Sequence, residues 1–317
     1  MKRIVGVMAV ALAVVLGASV ERVAEFPHQP IRIIVPFAPG ASGDRVTRLV
    51  AAELQASLGQ PVLVENQSGA TGRVGVSSLA RAAADGYVIG MGNESTHVTL
   101  PLLKSRTAYD PERDFTPLTL VARVSIAVAV NPDLLPVNTL AELVALAKTR
   151  TIPFGSPGEG SPQQLMGVLL AKRSGGKFEH VSQGGAAATA RELAEGRLPM
   201  AITTLAALQA YPGKVRVLAI GDSERRSGLP DVPTLSETWP DFVVTGWLGY
   251  FAPAGVPQPA AARLAAALRA ALHKPQLMAA LREQALDPVG SSAEELRDLV
   301  RSGLQRWKPQ VGNVPAD

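Results

Sequence analysis

Three short runs of β-branched and other apolar residues, at 31–35, 61–65 and 87–91, recur along the first third of the chain. Each run ends in a loop rich in glycine, proline, serine or asparagine, the residues typical of turns. After the first loop, apolar residues return at helical spacing over 46–54. Repeated strand–loop–helix units favour a parallel sheet with helices on its faces, so we predict an α/β fold.

Two longer β-rich segments, 118–130 and 243–251, are predicted to run from one lobe of the protein to another. Between them, short strands and helices alternate again, whereas the C-terminal part has the spacing of successive helices. The pattern therefore predicts two lobes, each a mostly parallel sheet flanked by helices. The first lobe comprises 25–125 and 245–317, and the second comprises 126–244.

The N-terminal residues 1–19 have the layout of a secretory signal peptide: a basic head at Lys2 and Arg3, an apolar run, and small residues at 17–19. The apolar run, 5–16, is shorter than the roughly 20 residues that span a bilayer. We expect an exported, periplasmic protein, and the alternative is a retained anchor helix.

Composition narrows the classes of function. The chain has 317 residues, enough for two domains, and its 31 basic and 27 acidic residues are too nearly balanced to indicate a nucleic-acid partner. It has no cysteine, which excludes disulfides, thiol catalysis and cysteine-ligated metals. The four histidines form no close metal-ligand pair. Neither a Walker A motif, a dinucleotide fingerprint nor a G-x-S-x-G elbow is present, so we expect no cofactor, no metal and no catalysis.

Two glycine-rich loops each precede a predicted helix, the first at 39–44 and the second at 156–161. A helix N-terminus has unpaired N–H groups and a partial positive charge, and glycine lets an anion approach the backbone. Each loop alone is most simply an ordinary strand-to-helix turn. Two such loops in comparable places of two lobes favour an anion site that closes from both sides.

Several acidic and histidine residues have two interpretations each. Asp44 either caps its helix or accepts hydrogen bonds from ligand-bound water. Glu94 and Glu159 are expected to flank the cleft and to face solvent or a cationic part of a ligand. His97 closes a polar loop and either touches ligand or packs at a helix start, whereas His180 lies in a predicted strand and is expected to be structural.

Six stretches of the sequence resemble the Bug family of periplasmic solute receptors, also called TctC-like receptors of tripartite tricarboxylate transporters. They span about residues 27–290 in order: IRIIVPFAPG with Asp44, LGQPVLVENQSGATG, ADGYVIGMGNESTH, YDPERDFTPL, LPDVPTLSE and GYFAPAGVP. The resemblance implies a type II, Venus-flytrap fold, a carboxylate ligand held between the lobes, and delivery to membrane transporter subunits. A monomer is expected.

The resemblance also places the binding loops. Pro36 matches the first loop, and the full predicted ligand-binding set is Phe37, Pro39, Gly40, Ala41, Ser42, Asp44, Asn93, Thr96, His97, Ser156, Gly158, Gly160, Ser161, Gln183 and Thr203. The sequence departs from the family pattern at three single positions and one tripeptide: Ala41 replaces a glycine, Gln164 a histidine and Thr203 an aspartate, and Ser182-Gln183-Gly184 replaces Pro-Tyr-Lys.

These departures remove an aromatic residue, a cation and an acid from the second lobe. We therefore expect a dicarboxylate or an aromatic acid rather than an amino acid as ligand, with the lobes closing on binding. Two alternative functions remain open at this point: a periplasmic sensor that acts on a signalling partner, and an exported α/β enzyme.

Overall fold

The computed structural model describes residues 26–103 and 108–311, so the predicted signal peptide lies outside the described residues. The strands are β1 (Ile31–Val35), β2 (Val62–Asn66), β3 (Val88–Asn93), β4 (Phe115–Val124), β5 (Ile126–Val130), β6 (Ile152–Ser156), β7 (Phe178–Ser182), β8 (Met200–Thr204), β9 (Arg216–Ile220), β10 (Gly246–Pro253) and β11 (Leu286–Pro288).

The α-helices are α1 (Ser42–Leu58), α2 (Arg73–Ala80), α3 (Leu100–Leu103), α4 (Leu140–Thr149), α5 (Pro162–Ser174), α6 (Ala186–Ala194), α7 (Leu205–Leu208), α8 (Leu235–Thr238), α9 (Gln258–Leu272), α10 (Pro275–Glu283) and α11 (Ala293–Val311). A 3-10 turn at Ala70–Gly72 precedes α2, and a π turn at Ser95–Thr99 precedes α3.

The strands form two sheets, which confirms the two-lobe α/β fold. A six-stranded sheet has the order β11-β4-β10-β3-β1-β2, and a five-stranded sheet has the order β7-β6-β8-β5-β9. The strand–helix units pair in parallel, as in β1 with β2 and β3, and β6 with β7 and β8. The crossing strands β4, β5 and β10 pair antiparallel with their neighbours. Each sheet is therefore mixed rather than mostly parallel, because the chain enters and leaves each lobe along strands instead of through helical crossovers.

The first crossing between the sheets is short. β4 ends at Val124 in the first sheet and β5 begins at Ile126 in the second, so Ser125 alone separates them. On the return, the Gly221 N–H donates to the carbonyl of Ile126, and the Val244 N–H donates to the carbonyl of Gly221, both at 2.8 Å. These bonds tie the segments that cross between the sheets to each other.

An ion pair joins elements of the two sheets beside Ser125. The Arg226 guanidinium, which follows β9, donates to both carboxylate oxygens of Asp287 in β11, at 2.5 and 2.7 Å. It also donates to the Ser125 hydroxyl at 2.6 Å. Because β9 and β11 belong to different sheets, this bidentate pair connects the two lobes directly.

The first sheet buries apolar side chains on both faces, as expected for a sheet covered by helices. Ile31 and Ile33 of β1 pack with α1 and α9 residues such as Val50 and Leu264, whereas Ile34 points into the cluster on the other face. This alternation follows from the two-residue period of a strand. Within 26–103 and 108–311, no helix combines the length and apolar character that a membrane crossing requires.

Candidate functional site

The first glycine-rich loop connects β1 to α1 through a turn with Gly40 at φ 78°. This left-handed conformation is accessible to glycine at little cost, which explains the residue at this position. The Asn66 amide at the end of β2 donates to the Phe37 carbonyl at 3.1 Å and so fixes the start of the loop. Pro39 and Gly40 are exposed, while Phe37, Ala41 and Ser42 are partly buried.

Asp44 holds this loop together from inside. One carboxylate oxygen accepts from the Gly40 N–H at 2.8 Å, and the other accepts from the Asn66 amide at 2.9 Å. Arg48 donates to both oxygens, at 3.1 and 3.0 Å. Burial acts to raise the pKa of the Asp44 carboxyl. The hydrogen bonds from Arg48, the Gly40 N–H and Asn66 have the larger combined effect and hold that pKa below its usual value. Its hydrogen-bonding capacity is used within the protein, which favours a loop-organising role over direct ligand contact.

Among the described residues, no side chain caps the N-terminus of α1. Its N-cap residue is Ala41, whose methyl side chain has no oxygen to accept from the first-turn N–H groups. Beside it, the Ser42 hydroxyl is buried and has no hydrogen-bond partner among the described residues. The loop therefore presents unpaired donors at the positive end of a 17-residue helix.

The second glycine-rich loop has the same geometry but satisfies its own donors. Gly160, at φ 73°, donates its N–H to the Gln164 side chain at 2.7 Å, as Gly40 does to Asp44. The Ser161 hydroxyl caps α5 by accepting from the Gln164 N–H at 3.2 Å. Because these donors are occupied, the α5 N-terminus is a capped helix end, and the expected symmetry between the two loops does not extend to open anion donors.

The second loop faces the first lobe through its carbonyl groups. Thr71 donates its hydroxyl to the Glu159 carbonyl at 3.3 Å, and Thr99 donates to the Gly160 carbonyl. A side chain in place of Gly160 would collide with Leu100 of the first lobe. The two lobes thus meet at this loop, and Thr71 and Thr99 are contact residues that the sequence pattern did not indicate.

The loop after β3 is folded by a reciprocal pair. The Asn93 N–H donates to the Thr96 hydroxyl and the Thr96 N–H donates to the Asn93 side chain, both at 3.0 Å. His97 is fully buried, and its ring is stacked on Phe251 with centroids 3.9 Å apart. Burial lowers the pKa of His97 to about 3, so the ring is neutral. This environment fits the packing interpretation of His97 better than ligand contact.

Glu94 lies in the interior, so the expectation that it faces solvent at the cleft is wrong. Its carboxylate accepts from the Trp307 indole at 2.7 Å, from the Trp247 indole, and from Arg306 at 3.3 Å. Burial raises the pKa of Glu94, against the opposing effect of Arg306 and the indoles. These bonds fasten the β3 loop to α11, because Trp307 and Arg306 belong to that helix.

Gln183 precedes α6 by three residues in the chain, and Thr203 of β8 contacts the first residue of that helix. The Gln183 N–H donates to the Ser156 carbonyl at 2.9 Å, and the Thr203 hydroxyl donates to the Ala186 carbonyl at 3.2 Å. The N-cap of α6 is Gly185, with no side-chain cap. The predicted second-lobe residues therefore divide between a capped helix end at α5 and an uncapped one at α6.

Ser156, His180 and Glu159 form a hydrogen-bonded chain, although the sequence indicated only a structural role for the histidine. The Ser156 hydroxyl lies 2.6 Å from Nε2 of His180, and Nδ1 lies 2.9 Å from a carboxylate oxygen of Glu159. Burial lowers the pKa of His180, and Glu159 opposes that shift. Parallel pairing of β6 with β7 brings the ring beside the loop, a register that residue spacing does not reveal.

Comparison with known proteins identifies the family. The family model of the tripartite tricarboxylate transporter family receptor (TctC) matches residues 46–314. The periplasmic binding protein BugD superposes with a TM-score of 0.82 at 29% identity, covering 90% of this chain and 99% of BugD. An R. palustris protein with adipate gives 0.84 at 31% identity, covering 90% and 98%.

A third solved structure is MatC from Rhodopseudomonas palustris with bound malate, at a TM-score of 0.83 and 31% identity, covering 90% of this chain and 100% of MatC. All three superpositions extend over both lobes of the fold described above. The similar proteins are solute-binding receptors rather than enzymes. The chain therefore belongs to the TctC family of tripartite tricarboxylate transporter receptors.

Proposed function

We propose that this protein is a periplasmic receptor that binds a small carboxylate in the cleft between its lobes and delivers it to a tripartite tricarboxylate-type transporter. The observation that carries the proposal is the uncapped N-terminus of α1, with Ala41 at the N-cap and an unpartnered Ser42 hydroxyl. Such an end binds carboxylates without a basic side chain. The signal-peptide layout of residues 1–19 supports the exported location in this proposal.

The ligand class follows from the site and the relatives together. One partly buried helix end supplies an anion with up to about 2 kcal/mol, whereas micromolar binding takes roughly 8 kcal/mol. The remainder comes from hydroxyl and water contacts and from exclusion of solvent when lobes 25–125 plus 245–317 and 126–244 close. Related proteins have been solved with adipate and malate, which supports a dicarboxylate or a similar acid for this chain.

A ligand panel tests this proposal. Adipate, malate, benzoate and aspartate are added to the purified protein at saturating concentration, and thermal unfolding is followed. We expect adipate, malate or benzoate to raise the melting temperature by about 5 °C or more. A ligand that binds only the folded state stabilises that state. 1,6-Hexanediol, which matches adipate without its carboxylates, should have no effect. A strongest response to aspartate, or no response to any acid, would contradict the proposal.

A second candidate, a serine hydrolase, is raised by the chain of Ser156, His180 and Glu159. Acyl transfer also needs adjacent N–H donors for the oxyanion. Pro157 has no N–H, the Gly158 N–H donates to Ser156 itself, and the Gly160 N–H is bonded to Gln164. Ser156 is moreover fully buried. The geometry thus favours a structural bracing of the loop over nucleophilic catalysis.

An activity assay separates these two candidates. We expect the wild-type protein to hydrolyse p-nitrophenyl acetate no faster than the S156A variant and to take no label from a fluorophosphonate probe, because Pro157 has no N–H and the Gly158 and Gly160 N–H groups are already bonded. Turnover or labelling that disappears in both S156A and H180Q would establish the hydrolase instead.

A further inference from the structure

The second glycine-rich loop meets the first lobe through carbonyl groups. The Gly160 N–H donates to the Gln164 side chain at 2.7 Å, so it is already occupied. The Glu159 carbonyl accepts from the Thr71 hydroxyl at 3.3 Å. The Gly160 carbonyl accepts from the Thr99 hydroxyl. Carbonyl oxygens are acceptors, so this face of the loop suits hydroxyl donors of the protein rather than a carboxylate, which is an acceptor itself.

Thr99 forms the inner half of this contact, at the end of the π turn that follows β3. The residue is fully buried, and its hydroxyl has two acceptors within reach. One is the Gly160 carbonyl of the second lobe, and the other is the Ser95 carbonyl of the same π turn, at 3.4 Å. When the lobes separate, the hydroxyl can keep the second acceptor, so opening leaves no unpaired donor. An exchangeable bond of this kind suits a contact that forms and breaks.

Gly160 also packs closely on α3 of the first lobe. A Cβ atom added to Gly160 would lie 2.8 Å from a methyl carbon of Leu100 and 3.1 Å from a methyl carbon of Leu103. The first of these separations is shorter than Cβ atoms tolerate, so a side chain at this position would push α3 and the loop apart. The absence of a side chain at Gly160 therefore permits an apolar contact between the lobes beside the Thr99 hydrogen bond.

Thr71 forms the outer half of the contact from a strained turn. Its φ of 56° and ψ of 32° lie in the left-handed region, which β-branched residues rarely adopt. Glycine would fit this turn with less strain, and what threonine adds is the hydroxyl that reaches the second lobe. The next residue, Gly72, lies beside the first glycine-rich loop, because a Cβ atom added to it would be 3.4 Å from the Pro36 side chain. The contact between the lobes is therefore made next to the proposed anion site.

We infer that the second glycine-rich loop is a latch between the lobes rather than a part of the anion site, and that Thr71, Thr99 and Gly160 set how fully the lobes close. The inference rests on the proposed function, in which the lobes close over an acid bound at the α1 N-terminus. A contact that favours the closed arrangement without touching the acid increases the fraction of protein that is competent to retain it, and the apparent affinity rises with that fraction.

The first test compares G160A with G175A. Both variants add a methyl group to a glycine of left-handed conformation beside α5, with φ 73° and φ 68°, so the backbone strain is matched. A Cβ atom at Gly175 meets nothing within 4 Å, so G160A alone puts a methyl group between the lobes. In small-angle X-ray scattering without added acid, we expect a larger radius of gyration for G160A than for wild type and G175A. Whichever of adipate and malate binds wild type should bind G160A at least about tenfold more weakly.

The second test removes the hydroxyl groups. T99V deletes the buried hydroxyl and keeps the branched shape, whereas T99S keeps the hydroxyl. We expect T99V to weaken binding of the same acid by about threefold to tenfold, the effect of one hydrogen bond, and T99S to stay within about twofold of wild type. T71V should act in the same direction but more weakly, because the Thr71 bond is exposed to solvent.

Equal radii of gyration for G160A and wild type would overturn the latch. Equal expansion of G175A, or equal effects of T99V and T99S, would overturn it as well, because the changes would then not come from the contact between the lobes. The scattering comparison uses no acid, so it is independent of the proposed function. If no acid binds wild type while G160A is expanded, the proposed function fails and the latch stands; acid binding by wild type with unchanged scattering in G160A gives the reverse.

Discussion

Ala41→Asp is expected to weaken binding of a carboxylate ligand by at least about 30-fold while the protein stays folded. Ala41 has the extended conformation of an N-cap residue, with φ −65° and ψ 161°. An aspartate there accepts hydrogen bonds from the first-turn N–H groups and places a negative charge where the ligand carboxylate binds. The substitution therefore turns an open helix end into a capped one, as Ser161 already does for α5.

Isothermal titration with the acid that responds in the ligand panel measures this effect. Unfolding of A41D without ligand should require at least as much free energy as wild type, because capping residues stabilise helices. A41G is the matched control: it adds no oxygen, so its affinity should stay within a few-fold of wild type. Unchanged affinity in A41D would show that the ligand binds away from α1.

Asp44→Ala is expected to lower the free energy of unfolding by about 2–3 kcal/mol at neutral pH. The substitution removes the acceptor for the Gly40 N–H, the Asn66 amide and the Arg48 guanidinium together. The Gly40 N–H in the loop and the Asn66 amide at the end of β2 both lose their partner, whereas Arg48 is half-exposed and turns to water. Ligand affinity should fall in parallel, because the same carboxylate shapes the loop in front of α1.

The effect of Asp44 depends on pH in a defined direction. Its pKa is lower in the folded protein than in the unfolded chain, so the carboxylate stabilises the fold above about pH 4, and this stabilisation is lost as the pH falls through the folded-state pKa. Denaturant unfolding at several pH values should show wild type and D44A converging in acid. D298N, at an exposed position of α11, serves as the control and should track wild type at every pH. A gap between wild type and D44A that stays constant down to pH 2 would contradict this account.

The sequence predicted the elements that depend on patterns of neighbouring residues. The first crossing was predicted at 118–130, and the structure places β4 and β5 there with Ser125 between them. The helical spacing over 46–54 falls within α1, which spans Ser42–Leu58. Such elements depend on periodicity and turn residues, which are properties of neighbouring positions. The first glycine-rich loop was located for the same reason.

The parts that sequence reasoning missed depend on contacts between distant residues. Glu94 is buried because Trp307, 213 residues later in the chain, reaches its carboxylate. His180 meets Ser156 only through the register of two parallel strands, which residue spacing does not determine. Helix α5 is capped and α1 is open because the N-cap residue is Ser161 in one and Ala41 in the other. The glycine-rich pattern does not include this difference, so it predicted the same role for both loops.

The single residue between β4 and β5 limits how the protein can change shape. Ordering the backbone of one residue costs only about 1–2 kcal/mol. Fixing the conformation of Ser125 on ligand binding would therefore reduce the binding free energy only slightly. A one-residue connection also leaves few backbone torsions about which one lobe can rotate relative to the other. The Arg226–Asp287 ion pair links the two lobes beside this connection. Under the proposed function, solute binding should rotate each lobe as a rigid body, and a membrane partner could recognise that rotation without touching the solute itself.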